Sequence, residues 1–170
     1  METHKQHRVA SPKKIAIAVL TVSSSRFRAK RADNQSGTLI IDVLKKAGHD
    51  VLDFGILDDD SKMIAAHVME AVRTKTVKAV ILTGGTGLAN RDVTTETLTP
   101  LFEKTIPGFG EIFRYESYRK IGTAAYLSRA TAGIISGKPV FCLPGSPEGV
   151  ALGMKLIIPE ISHAVFIAKS

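Results

Sequence analysis

The sequence predicts an α/β protein, a three-layer α/β/α arrangement around a mostly parallel sheet. Three observations carry this. Four short apolar runs, Ile15 to Val22, Val51 to Leu57, Ala79 to Thr83 and Pro139 to Leu143, lack polar–apolar alternation, as strands buried on both faces do. Stripes with helical spacing separate the first three runs. Polar loops rich in serine, aspartate or glycine follow the runs, at the strand ends where open α/β sheets bind their ligands.

Taken in order, residues 1–13 show no periodicity and are expected to form a disordered basic tail before a single domain over 14–170. Ile15 to Val22 is the first strand, and Ser23 to Gln35 is expected to be a loop. From Ser36, the residues Leu39, Ile40, Val43, Leu44 and Ala47 make a helical stripe, with Gly48 as its stop. The second strand follows, and Asp58, Asp59, Asp60 and Ser61 offer N-cap chemistry for a helix with its stripe at Ile64, Val68, Ala71 and Val72. After the third strand comes the loop TGGTGLANRDVT, with a helix starting near Thr94. Pro107-Gly108-Phe109-Gly110 is expected to break that helix, and Ile112 to Tyr118 to resume helix. After the late strand, Pro144 to Pro147 turns the chain. Val150 to Ala168 is helical in pattern, divided at Pro159.

Composition narrows the function. With 170 residues, 44% of them apolar and 23% charged, the chain can bury a core and is not globally disordered. The lone Cys142 excludes an intramolecular disulfide and an all-cysteine metal site. The run IAIAVLTV is too short to span a bilayer, so no membrane partner is expected. Met1 is followed by a polar, basic stretch, so no signal peptide is expected and the reading is cytoplasmic. A net charge of +7 points to a polyanionic partner. The basic residues concentrate in the tail, at Lys5, Arg8, Lys13 and Lys14, and in the loop Arg26, Arg28, Lys30 and Arg31. Aromatic content is only 6% and no recognition motif is present, which argues against nucleic acid.

Four loops carry the candidate chemistry. Gly84, Gly85, Thr86 and Gly87 follow a buried strand, where glycine lets backbone N–H groups approach an anion; the same glycines would equally serve a tight turn. No Gly-Lys-Ser/Thr follows, so this is not a P-loop. Asp92 reads most simply as a helix cap or first-turn acid. Three adjacent carboxylates at 58–60 exceed what capping needs. If the second and third strands converge, Asp59 and Asp92 face one crevice, where carboxylates beside phosphates commonly hold Mg²⁺. Ser23, Ser24, Ser25, Asp33 and Ser36 offer hydrogen bonds near the first strand, and Ser146 does so in a rigid turn. Cys142 reads as a small core residue, and the histidines show no metal spacing.

The motifs Thr21-Val22-Ser23, Asp33 to Gly37, Thr83 to Gly87, Arg91 to Thr94, Pro107 to Glu111, Leu127-Ser128-Arg129 and Leu143 to Pro147, with the acid at Asp59, stand in one order over nearly the whole chain. In this the sequence resembles the MoaB/MogA group of molybdopterin-binding proteins, and MoaB most closely. The resemblance implies a molybdopterin-binding α/β fold and a molybdopterin adenylyltransferase. Such an enzyme uses ATP as co-substrate with Mg²⁺, and its product then receives molybdate or tungstate. It implies Asp59 and Asp92 as catalytic and metal-binding acids. It also implies substrate contacts at Gly84, Gly85, Thr86, Gly87, Ser117 and Ser146, and a homotrimer or hexamer; the loop residues Ser23, Ser24, Asp33 and Ser36 and the turn residues Pro144 and Gly145 complete the candidate substrate-binding set. A non-catalytic molybdopterin carrier or scaffold is the alternative. Two positions depart from the group's pattern: Cys142 stands where asparagine is frequent, and Asp58 where proline is common.

Overall fold

The computed structural model describes residues 11–29 and 33–169. Most of the expected tail, with Lys5 and Arg8, and Lys30 and Arg31 of the basic loop therefore lie outside the described residues.

Six strands form one sheet in the order β2-β1-β3-β6-β5-β4. They are β1 (Ala16–Val22), β2 (Asp50–Leu57), β3 (Val77–Thr83), β4 (Lys104–Thr105), β5 (Thr131–Ile135) and β6 (Lys138–Leu143). β2, β1, β3 and β6 run parallel. β5 is antiparallel to both β6 and β4. Among the described residues, seven α-helices accompany them: α1 (Ser24–Arg28), α2 (Gln35–Lys46), α3 (Ser61–Arg73), α4 (Thr94–Leu98), α5 (Pro107–Ile121), α6 (Pro147–Ile157) and α7 (Ile161–Ile167).

The two sheet faces are read from alternate residues of each central strand. Ile17, Val19, Ile81 and Leu143 pack against Ile40 and Leu44 of α2 and Val150, Met154 and Val165 of α6 and α7. Ala18, Leu20, Leu82 and Cys142 pack against Ile64, Val68 and Val72 of α3 and Leu98 of α4. Both faces are dry, which is why the strands lack alternation. The chain passes from β1 to β2 through α2 on one face, and from β2 to β3 through α3 on the other. This reversal opens a crevice between the carboxyl ends of β1 and β3.

Capping agrees with the sequence where the partner is local. Asp60 caps α3 by accepting the Met63 N–H at 2.8 Å. Gly48 ends α2 with φ +85°. The last helical region breaks at residues 158–160, around Pro159, although α6 begins earlier than the apolar stripe, at Pro147 behind a Ser146 cap.

Four expectations are corrected. Ser23 to Gln35 is not wholly loop, because Ser24–Arg28 forms α1. Pro107 to Gly110 does not interrupt a helix; Pro107 starts α5, a position where its missing N–H costs nothing. β4 and β5 were not foreseen. β5 joins β6 through Ser136 and Gly137, both at positive φ (51° and 65°), the backbone of a tight hairpin. Asp92 is not a cap: Val93 holds that position on α4 without side-chain help.

Candidate active site

The loops after β1, β2, β3 and β6 converge with α5 and the 3₁₀ segment that follows it around one cavity of about 1110 Å³. Ser23, Ser24, Asp59, Asp92, Ser117 and the stretches Gly84–Gly87 and Pro144–Ser146 all line it. Phe113, Ile121, Leu127 and Leu152 add apolar lining. A cavity with both polar and apolar lining suits a flat ring carrying charged groups.

Asp59 is held by the chain's first loop. Its Oδ2 accepts both the Ser24 N–H at 2.8 Å and the Ser24 hydroxyl at 2.7 Å. The Ser24 Oγ in turn accepts from the Asp59 N–H at 3.2 Å. Asp59 thus binds the first N–H of α1, and this contact accounts for a helix where polar sequence suggested a loop. Arg28 of α1 lies 3.7 Å from Asp58, tying the same two loops a second time.

The glycine loop is shaped by close approach. Gly84 has φ +99°, and a Cβ there would lie 2.1 Å from the Val22 carbonyl oxygen. Gly85 has φ +64°, and its Cβ would meet Thr94 Oγ1 at 2.3 Å and Asp59 Oδ1 at 3.1 Å. Neither position tolerates another residue without displacing backbone or Thr94. Thr94 closes the loop from beyond: its N–H donates to Gly85 O at 2.9 Å and its hydroxyl to Gly84 O at 3.0 Å. Asp92 folds back as well, accepting the Ala89 N–H at 3.0 Å. Among the described residues, the N–H groups of Gly85, Thr86, Gly87 and Leu88 have no hydrogen-bond partner. Three of these donors, on Gly85, Thr86 and Gly87, belong to residues that line the cavity, and consecutive free N–H groups at a strand end suit an anion.

The turn after β6 is fastened to this loop. Thr83 donates to Pro144 O at 2.8 Å, Gly84 N–H to Leu143 O at 3.0 Å, and Ser36 Oγ to Gly145 O at 2.7 Å. Ser146 caps α6, accepting the Gly149 N–H at 3.1 Å. Ser117, buried but lining the cavity, donates its hydroxyl to Phe113 O at 2.8 Å.

Two sequence candidates do not reach the cavity. Ser36 is buried and its hydroxyl is engaged by the Gly145 carbonyl, so it shapes the wall from behind. Asp33 is exposed, and its carbonyl accepts from Arg26 Nε at 2.9 Å. Among the described residues, four cations line the cavity, namely Arg26, Arg91, Lys120 and Arg129. Of these only Arg26 belongs to the basic loop noted in the sequence. Arg129 was visible solely as part of a motif, and Lys120 carried no signal beyond its charge at a helix end. His67 and His163 are half-buried.

Cys142 takes no part. It is wholly buried on the α3 face, and burial pushes its thiol up to about 12. Among the described residues, no group of three or more His, Cys, Asp or Glu side chains is placed to hold a metal ion.

The parallel sheet, the crevice at its reversal and the glycine loop between two carboxylates define an open α/β protein with its ligand cavity at the strand carboxyl ends. The sequence profile of a family described as "Probable molybdopterin binding domain" matches residues 18–163. Molybdenum cofactor biosynthesis protein B of Bacillus subtilis is 45% identical over 163 residues, 95% of this chain and 94% of its own. Molybdopterin adenylyltransferase of Pyrococcus furiosus is 40% identical over 163 residues, 94% of each chain. The crystal structure of the tungsten cofactor synthesizing protein MoaB from Pyrococcus furiosus superposes with a TM-score of 0.86 at 38% identity, covering 94% of this chain and all of that one. The chain belongs to this molybdopterin-binding family, in the MoaB group.

Proposed function

We propose that the protein is a molybdopterin adenylyltransferase, transferring AMP from ATP to the terminal phosphate of molybdopterin with release of pyrophosphate. The observation that carries this is the run of three unpartnered N–H groups on Gly85, Thr86 and Gly87, which line one cavity together with Asp59 and Asp92. The family relatives named for this activity support it.

In the reaction, a phosphate oxygen of molybdopterin attacks the α-phosphorus of ATP, and the bond to the β-phosphate oxygen breaks. The attacking phosphate is ionised at neutral pH, so no side chain needs to remove a proton. The obstacles are charge repulsion and orientation. The loop N–H groups face the phosphates and stabilise the charge developing on them. Lys120, Arg91 and Arg26 draw both anions into the cavity. The apolar lining seats a ring. Two carboxylates without a third protein ligand suit Mg²⁺, which keeps waters and takes phosphate oxygens as its other ligands. When bound by Asp59 and Asp92 it would neutralise charge on the transferring phosphates.

The testing experiment is Mg²⁺-dependent pyrophosphate release from ATP with and without molybdopterin. Release only with molybdopterin is expected. Tight molybdopterin binding without release would make the chain a carrier instead.

Assembly belongs to the same proposal. Ile112, Tyr115, Tyr118 and Ile121 of α5, with Tyr126 and Leu127 beyond it, are large, exposed and apolar. Of these, Ile112, Tyr115, Tyr118 and Tyr126 lie outside the cavity lining and suit burial against further copies in a homotrimer or hexamer, which light scattering would report. No described helix is by itself long and apolar enough to cross a membrane, and the α6–α7 pair packs into the core. We place the protein in the cytoplasm.

A further inference from the structure

We propose that Arg129 is a positioning residue that sets the shape of the Gly84–Asp92 loop, with Glu96 as the counter-ion that fixes it. The assignment rests on reading that loop as the phosphate cradle.

Arg129 lines the cavity and looks at first like a phosphate ligand. Its donors are already committed. Nε donates to Thr86 O at 3.1 Å. Nη2 donates to Gly87 O at 2.5 Å, to Asp92 O at 3.2 Å and to Glu96 Oε2 at 3.2 Å. Nη1 donates to the other Glu96 oxygen. A guanidinium has five N–H groups, so little remains for a ligand, and Glu96 matches its charge.

The carbonyls it gathers decide where the loop's N–H groups go. In a trans peptide the N–H points opposite to the C=O. Holding the Thr86 and Gly87 oxygens on one guanidinium turns the N–H groups of Gly87 and Leu88 to the other side. These are two of the four donors without a partner among the described residues. The third carbonyl belongs to Asp92, so the same fork fixes the backbone that carries one of the two acids. Lysine cannot replace it, since one ammonium on a flexible stem cannot span three carbonyls and a carboxylate in a plane.

Three variants test this: Arg129→Lys, Arg129→Ala and Glu96→Gln. The readouts are steady-state kinetics, amide hydrogen exchange over residues 84–92, and titration with Mg²⁺ and inorganic pyrophosphate. Both Arg129 variants should lose roughly ten- to a hundredfold, in kcat more than in KM for ATP, as expected for a misplaced reacting geometry. Both should exchange faster over 84–92 while unfolding remains cooperative. Glu96→Gln should move in the same direction by a smaller factor.

Wild-type kcat and exchange in Arg129→Lys would overturn the proposal. So would loss in Arg129→Ala with full retention in Arg129→Lys, which would mark a direct charge contact with the ligand. If the Arg129 variants do not fold, Glu96→Gln decides alone: unchanged exchange over 84–92 overturns the proposal. If the wild type releases no pyrophosphate, the adenylyl-transfer reading fails, and exchange with pyrophosphate affinity still decides the role of Arg129.

Discussion

Ser24 and Asp59, thirty-five residues apart, hold each other through both backbone and side chain: Asp59 Oδ2 accepts the Ser24 N–H and hydroxyl, and Ser24 Oγ accepts the Asp59 N–H. The pair joins the loop after β1 to the loop after β2 at the mouth of the cavity. Ser24→Ala removes the hydroxyl and leaves the backbone donor. It should cost about 1.5–3 kcal/mol of stability, the range for a hydrogen bond to a charged group, measured by urea unfolding. Turnover should fall with it, because the carboxylate loses one of its two anchors. An unchanged stability and rate would show that the Ser24 N–H alone orients Asp59.

Asp59→Asn and Asp92→Asn separate catalysis from binding. Each keeps the shape of the side chain and removes its charge. Pyrophosphate release should drop on the order of a hundredfold or more, the scale of losing one preorganised electrostatic group. Molybdopterin binding, followed by fluorescence quenching, should persist. Full activity in both would remove the acids from the mechanism.

The glycines predict two different failures. Gly84→Ala places a Cβ at positive φ and 2.1 Å from a backbone carbonyl, so the backbone itself must move. It should destabilise by about 1–2 kcal/mol or more and abolish turnover. A Cβ on Gly87 would instead meet Asp92 Oδ2 at 2.6 Å, the end of a side chain. Gly87→Ala should unfold near the wild-type midpoint and still lose activity by displacing Asp92. Thermal melts beside kinetic assays distinguish the two.

Glu96 links stability to acid. Its hydrogen bond from Arg129 holds its carboxyl below the usual carboxylate range. The unfolded chain then binds that proton more readily than the folded one. The contribution is therefore present at neutral pH and lost as pH falls through the folded value. Glu96 is more than half exposed, so the pair falls within the about 0–1 kcal/mol of surface ion pairs and weakens with salt. Urea midpoints of wild type and Glu96→Gln should differ near pH 7 and converge on acidification. A gap that widens toward acid would contradict this.

The four parallel strands were legible from their runs, each to within a few residues at its ends: Ile15 to Val22 became Ala16–Val22, and Ala79 to Thr83 became Val77–Thr83. Burial on both faces writes a continuous apolar signal. β4 has two residues, too few to carry any pattern, and β5 is a short stretch whose only mark is the Ser136-Gly137 turn after it. The glycine loop and both acids were also legible, because their residue types are unusual beside a buried strand. Ser36 was misleading. A serine near a binding loop has the same sequence appearance whether it faces a ligand or, as here, a carbonyl 109 residues away.

By itself the sequence determined the features whose cause is local: which runs bury two faces, that the stretch Asp58 to Ser61 caps α3, that Gly48 ends α2 and that Pro159 divides the last helical region. Tertiary structure alone decided the partners. Asp59 nucleates α1 through Ser24, Asp92 folds onto its own loop rather than capping α4, and Arg129 reaches back 43 residues to Thr86. The physical reason is range. Periodicity and capping act within a turn or two of the chain, whereas a carboxylate or guanidinium takes whichever donor or acceptor the packed sheet brings within about 3 Å.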